Sequence, residues 1–242
     1  GAGVPVCKHG ARAASSQCGT ADMLEALGVA VELSPEGVKQ CVERAGMGFC
    51  LAARYHPAFR FAAPSRREIG VPTVFNLLGP MANPGRVKRQ LIGVANPLVA
   101  ERMLASLRLH GSKSSWVVHG GGLDELTTTG PSTVLELLGG KVRTFSVDPV
   151  SLGLAPAISE ELVGGTPAFN ADVVRRVMAG EQGAHRNIVV LNAGAGLVVA
   201  DVASSLEEGV AMAAESIDSG RANETLTKLI TESQAALAEF GA

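Results

Sequence analysis

The chain has 242 residues, a formal charge of −2, and 46% hydrophobic content of which little is aromatic. That length allows one large core or two modest domains packed from Ala, Val and Leu, and the charge offers no global attraction to nucleic acid or an acidic membrane, so any anion site must be local. No apolar run reaches transmembrane length and no charged n-region precedes an apolar h-region, so the chain reads as soluble and cytoplasmic, with no membrane partner.

In chain order, the first expected strand is Val4–Lys8, and a helix follows over Ala21–Leu27 with Thr20 as its N-cap. Ser34-Pro35-Glu36 starts a second helix, an N-cap followed by proline at the first helical position, and Gly46 stops it after Ala45. Short Val/Ile/Leu/Phe-rich runs then predict strands at Phe49–Ala52, Gln90–Val94, Ser115–His119, Thr133–Leu137, Val142–Val147 and Ile188–Asn192. Between and after them, helices are expected over Pro97–Leu109, Asn170–Met178, Ser205–Asp218 and Asn223–Phe240; Ser205-Leu206-Glu207-Glu208 has capping-box spacing. Gly139-Gly140 joins two strands as a hairpin, and Phe75 to Pro84 contributes turn chemistry. Strands alternating with helices imply an α/β fold, a largely parallel central sheet flanked by helices with a β-hairpin insertion. With no linker and no repeat, residues 1–242 form one domain, and the opening Gly1-Ala2-Gly3 runs into a strand at once, as in a chain that starts inside a domain. The four cysteines, at 7, 18, 41 and 50, lack C-x-x-C spacing and are expected to be reduced thiols.

The densest chemistry is Lys8-His9-Gly10-Ala11-Arg12-Ala13-Ala14-Ser15-Ser16-Gln17-Cys18-Gly19-Thr20. It links a strand to a helix and contributes two cations, small residues and hydroxyls at a helix start, which is the composition of a phosphate site. The competing reading is an ordinary capped surface loop. Asp124-Glu125, after the strand ending at His119, places two hard oxygen donors where α/β sheets bind ligands, suited to Mg²⁺ shared with a phosphate. An exposed acidic loop tip is the alternative. Arg66 offers a guanidinium fork for a carboxylate, with apolar neighbours to house an aromatic ring.

Taken together, Lys-His-Gly-x-Arg-x-x-Ser-Ser, Gly-Thr-Ala-Asp with Leu-Glu-Ala-Leu-Gly, His-Pro ten residues before Arg66, Phe-Asn-Leu-Leu-Gly-Pro and Gly-Leu-Asp-Glu resemble the anthranilate phosphoribosyltransferase family, in order and over the whole chain. The resemblance implies a glycosyltransferase of tryptophan biosynthesis with a nucleoside phosphorylase/phosphoribosyltransferase-like α/β domain. It joins anthranilate to phosphoribosyl pyrophosphate with Mg²⁺ as cofactor, releases pyrophosphate and works as a homodimer. It implies that Lys8, His9, Gly10, Ala11, Arg12, Ala13, Ala14, Ser15, Ser16 and Thr20 bind phosphoribosyl pyrophosphate, that Ala11, Arg66 and His9 meet anthranilate, and that Asp124 and Glu125 bind the metal. No residue is assigned as catalytic, because pyrophosphate departure needs positioning and charge more than a nucleophile. His9 orients the acceptor or accepts its proton, with a purely structural histidine the competing reading. The family's small helical domain, its Gly-Thr-Gly-Gly-Asp loop and its Asn-x-Ser-Thr element would lie ahead of Gly1, which suggests an inactive piece. Ala11 also stands where the family usually has an asparagine that touches the aromatic substrate.

Rival readings are a related nucleoside phosphorylase and a non-catalytic nucleic-acid-binding relative; the charge speaks against nucleic acid. Gly194-Ala-Gly196 after Ile188–Asn192 looks like a dinucleotide fingerprint without a following acidic strand, and His119-Gly-Gly-Gly looks like an esterase segment without G-x-S-x-G. A pyrophosphate-release assay beside salt-dependent DNA binding separates these classes.

Overall fold

The computed structural model describes residues 1–13, 16–70 and 74–241, apart from the side chains of 63, 64, 66, 67 and 74–77. Strand β1 (Val6–Gly10) pairs in parallel with β2 (Met47–Leu51), Cys7 opposite Gly48 and His9 opposite Cys50. Between them run α1 (Thr20–Leu27) and α2 (Pro35–Ala45). In α2, Ser34 accepts a hydrogen bond from the Gly37 N–H, Pro35 fills the first turn and Gly46 closes the end in a left-handed conformation, so the sequence signals act as written. After β2 come α3 (Ala52–Tyr55), α4 (Phe59–Ile69) and α5 (Val74–Met81).

A second sheet has the order β3 (Arg89–Gly93), β4 (Ser114–Gly120), β5 (Ser132–Leu138) and β6 (Lys141–Val147), with α6 (Ala100–Leu109) crossing between β3 and β4. β3 and β4 are parallel, the form a helical crossover allows, and β4, β5 and β6 are antiparallel. The β5–β6 turn is Gly139-Gly140 with both φ positive, at 55° and 80°, the conformation a two-residue hairpin needs. Helices α7 (Pro167–Met178), α8 (Ala184–Val199), α9 (Leu206–Asp218) and α10 (Arg221–Phe240) complete the order. The α/β class stands, with the strands divided between a parallel pair and a mixed four-stranded sheet.

Alternation along β4 covers both faces of the larger sheet. Trp116 and Val118, with Val134, pack on Val190, Leu191 and Ala195 of α8, and Val117, with Ile92 and Leu137, packs on Met103, Leu104 and Leu107 of α6. The smaller sheet buries Phe49 and Cys50 among Leu24 and Leu27 of α1, Val38 and Cys41 of α2, and Leu229 of α10.

Several expectations are corrected. Ile188–Asn192 is not a strand but the middle of α8, because an apolar run of four has no period of its own, and the burial of Arg186, Ile188, Val190, Leu191, Gly194 and Ala195 marks it as part of a longer helical face. The Gly194-Ala-Gly196 fingerprint falls with it: a Cβ on Gly194 would lie 2.7 Å from the backbone nitrogen of Val210, so this glycine serves close packing of α8 on α9. Phe75 to Pro84 is helical to Met81 and not merely a turn. Finally, Gly19 and not Thr20 is the N-cap of α1; Thr20 is its first helical residue.

Candidate active site

The loop leaving β1 is closed on itself by backbone contacts. The Ala21 N–H reaches the Ala11 carbonyl at 3.3 Å, and a Cβ on Gly19 would come within 2.4 Å of the Ala13 nitrogen, so only glycine lets the loop's return pass its outward limb. Asp22 ties the two limbs together. Its Oδ2 accepts from the N–H groups of both Ala13 and Gly19, each at 2.8 Å, which holds its carboxyl below the usual carboxylate range. Sequence reading passed over Asp22, although an acid three residues after Gly19 is the spacing of a reciprocal helix cap.

The predicted cations fare differently. Lys8, in β1, lies near enough to Glu125 for its charge to favour that carboxylate's ionised form. Arg12 is engaged by protein carboxylates: its Nη2 donates to Glu25 Oε1 and Glu32 Oε1, both at 2.8 Å, its Nη1 donates to Glu25 Oε2, and Asp22 lies 3.6 Å away. Ser16 Oγ donates to the Cys18 carbonyl at 3.1 Å. Gly10 sits where a Cβ would press on the Phe49 ring at 3.0 Å. Ala14 and Ser15 lie outside the described residues, as does the side chain of Arg66, whose backbone is in α4.

His9 meets a second histidine. The rings of His9 and His56 are edge to face at 5.0 Å, and His56 stacks on Phe59 at 5.2 Å. Burial and then the proximity of His56 hold the His9 imidazole below its ordinary pKa, against a hydrogen bond to the Gly79 backbone. Each ring keeps a buried Nε2 with no partner, so two polar atoms stand ready beside an aromatic wall.

Asp124 and Glu125 follow β4 on a loop braced from both sides. A Cβ on Gly93 would fall 1.4 Å from the Asp124 carbonyl oxygen, so the end of β3 lies directly against that peptide. Asn192 of α8 holds the adjoining backbone, accepting from the Leu126 N–H at 3.0 Å and donating to the Leu126 carbonyl at 2.8 Å. Both acidic residues are exposed at the surface, yet desolvation by the surrounding atoms, then the neighbouring Asp124, raises the Glu125 pKa. A carboxyl that resists its own charge, next to a second acidic residue, is a ready receptor for a divalent cation. Among the described residues no group of three or more His, Cys, Asp or Glu is gathered for a metal, so a cation here would depend on these two carboxylates and on ligand oxygens, the usual habit of Mg²⁺.

The family model described as glycosyl transferase family, a/b domain, matches residues 1–223. Anthranilate phosphoribosyltransferase of Parvibaculum lavamentivorans is 51% identical over 230 residues, 95% of this chain and 67% of the relative. This chain belongs to the anthranilate phosphoribosyltransferase family. The crystal structure of the Thermus thermophilus member superposes with a TM-score of 0.91 at 44% identity, covering 96% of this chain and 70% of that one. The Saccharomyces cerevisiae member, in complex with PRPP and Mg, gives 0.85 at 28% identity, covering 95% of this chain and 65% of that one. The chain thus spans about two thirds of the length of these relatives. Among the described residues no helix is long and apolar enough to cross a membrane.

Proposed function

We propose that this chain carries the α/β part of an enzyme that moves the phosphoribosyl group of phosphoribosyl pyrophosphate onto the amine of anthranilate, releasing pyrophosphate, in tryptophan biosynthesis. The observation that carries the reading is Lys8 of β1 in charge reach of Glu125, in a chain of this family. The bond from the sugar's anomeric carbon to the pyrophosphate oxygen breaks, the amine nitrogen bonds to that carbon, and the nitrogen then loses a proton. Positive charge grows on the sugar while negative charge grows on the leaving group, so fixed donors and cations lower the barrier more than a nucleophile would.

Lys8 would meet the phosphates, with Asp22 holding the loop in shape through the Ala13 and Gly19 N–H groups. Asp124 and Glu125 would hold Mg²⁺, which supplies charge neutralisation to the pyrophosphate. His9 and His56 form an apolar-backed polar wall for the acceptor, whose carboxylate is assigned to Arg66. Ala11, with no side-chain hydrogen bond to give, leaves acceptor recognition to these groups. A cytoplasmic setting and pairing into a homodimer go with the same reading.

In the full-length enzyme, replacing Asp124 and Glu125 together by alanine should weaken both the Mg²⁺ dependence of the rate and the calorimetric binding of phosphoribosyl pyrophosphate with Mg²⁺, with the circular dichroism spectrum preserved. An unchanged dependence on Mg²⁺ removes the pair from the site.

A further inference from the structure

We propose that Cys7 and Cys50 form an oxidisable pair, a modification site at the root of the phosphate loop that a hydroperoxide closes to an intramolecular disulfide and a dithiol reopens. All four cysteines are free thiols, but these two are placed for each other. In the parallel β1–β2 register Cys7 faces Gly48 and His9 faces Cys50, so Cys7 and Cys50 project from the same face of the sheet one step apart, with no side chain on Gly48 between them. Their sulfurs are already in contact at 3.7 Å. A disulfide requires them to close by about 1.6 Å, within the reach of side-chain rotation on neighbouring strands.

The surroundings assign roles. Cys7 is half-buried beneath the turn at Asn83–Gly85, where Asn83 Oδ1 lies 3.7 Å from its sulfur and a Cβ on Gly85 would touch it at 2.7 Å. Cys50 is buried behind it. The Cys50 thiol and the Gly85 N–H stabilise charge on Cys7 and bring its pKa down to about 7, while the same partnership and burial push Cys50 up. Cys7 is therefore the nucleophile and Cys50 the resolving thiol. The Cys7 thiolate attacks one oxygen of the hydroperoxide and the O–O bond breaks; the alcohol, or water from hydrogen peroxide, leaves with a proton, and Cys7 becomes a sulfenic acid. The Cys50 sulfur then attacks the Cys7 sulfur, the S–O bond breaks, and the hydroxyl leaves as water with the Cys50 proton. Two thiols give up two electrons and two protons, and the hydroperoxide takes them. The other thiols lack this arrangement: Cys41 is fully buried in the core around α2, and Cys18 donates to the Gly19 carbonyl in the loop.

The reduced chain is treated with hydrogen peroxide, alkylated with iodoacetamide and mapped by peptide mass. The expected product is a peptide bearing Cys7 linked to one bearing Cys50, lighter by two hydrogens and restored by dithiothreitol. Without peroxide, Cys7 should alkylate at least about 10-fold faster than Cys41 near neutral pH. In Cys50→Ser, Cys7 should stop at the sulfenic acid and take up dimedone, and Cys7→Ser should give no internal link. Because the wild-type map decides the linkage by itself, failure of either variant to fold leaves the test intact. Linkage of Cys7 to Cys18 or to a second chain, or full alkylation of Cys7 and Cys50 after peroxide, overturns the proposal.

Discussion

Replacing Gly93 by alanine should disable the acidic pair without touching it. Gly93 ends β3, is paired with Val118 of β4, and does not have a positive φ, so its backbone suits alanine, and a simple gain of about 0.4–1 kcal/mol from a stiffer unfolded chain would be expected. Space decides otherwise. The new methyl carbon would lie 1.4 Å from the Asp124 carbonyl oxygen and 2.1 Å from its carbonyl carbon, both backbone atoms that no rotamer change can move. Reaching even 3.0 Å means shifting one loop against the other by about 1.6 Å, and overpacking of this kind costs about 1–3 kcal/mol. Taken by itself, that cost should lower the melting temperature by about 2–12 °C, at about 2–4 °C per kcal/mol for a chain of this size. Because the displaced peptide carries Asp124 into Glu125, the rate at fixed Mg²⁺ should fall about 100-fold, the scale expected from a misplacement of about 1 Å. The assay is pyrophosphate release by the full-length enzyme over a Mg²⁺ titration, beside a thermal melt. Gly196→Ala in α8, where a Cβ meets nothing within 4 Å, is the control and should be neutral or slightly stabilising. A Gly93→Ala protein with the parent's melting point and Mg²⁺ dependence would refute the reasoning.

Two further outcomes follow from buried polar groups. Glu136 is 5% exposed and takes the Trp116 indole N–H at 2.8 Å while Arg143 donates to both its oxygens, so Glu136→Ala strands a buried donor and should cost about 1–3 kcal/mol. Glu136→Gln keeps an acceptor for the indole and should lose clearly less in the same denaturant titration; equal losses would mean the indole bond contributes nothing. His9 binds its proton less readily folded than unfolded, so the unfolded chain gains protons first on acidification, and stability is full above the ordinary histidine pKa of about 6.5 and declines as pH falls below it. Melts from pH 8 to pH 5 should show that decline, reduced in His9→Gln; an unaltered slope in the variant would place the titration elsewhere.

Local grammar and family membership were legible in the residues alone. Ser34-Pro35 and Gly46 bound α2, Gly139-Gly140 made the hairpin, and the order of separated motifs from Lys8 to Glu125 identified the chain, because caps, turns and ligand loops depend on residues a few positions apart. Whatever required two distant segments was settled by packing. Ile188–Asn192 became helix because α9 and the larger sheet bury it as part of a longer amphipathic face, which no five-residue window contains. Arg12 was legible as a cation, but Glu25 in α1 and Glu32 in the connection to α2 determined which carboxylates it meets. Gly93 against Asp124, Asn192 on the Leu126 backbone, His9 on His56 and Cys7 on Cys50 are contacts across 31 to 66 positions of chain, and spacing along a sequence carries no distance until the sheet register fixes it.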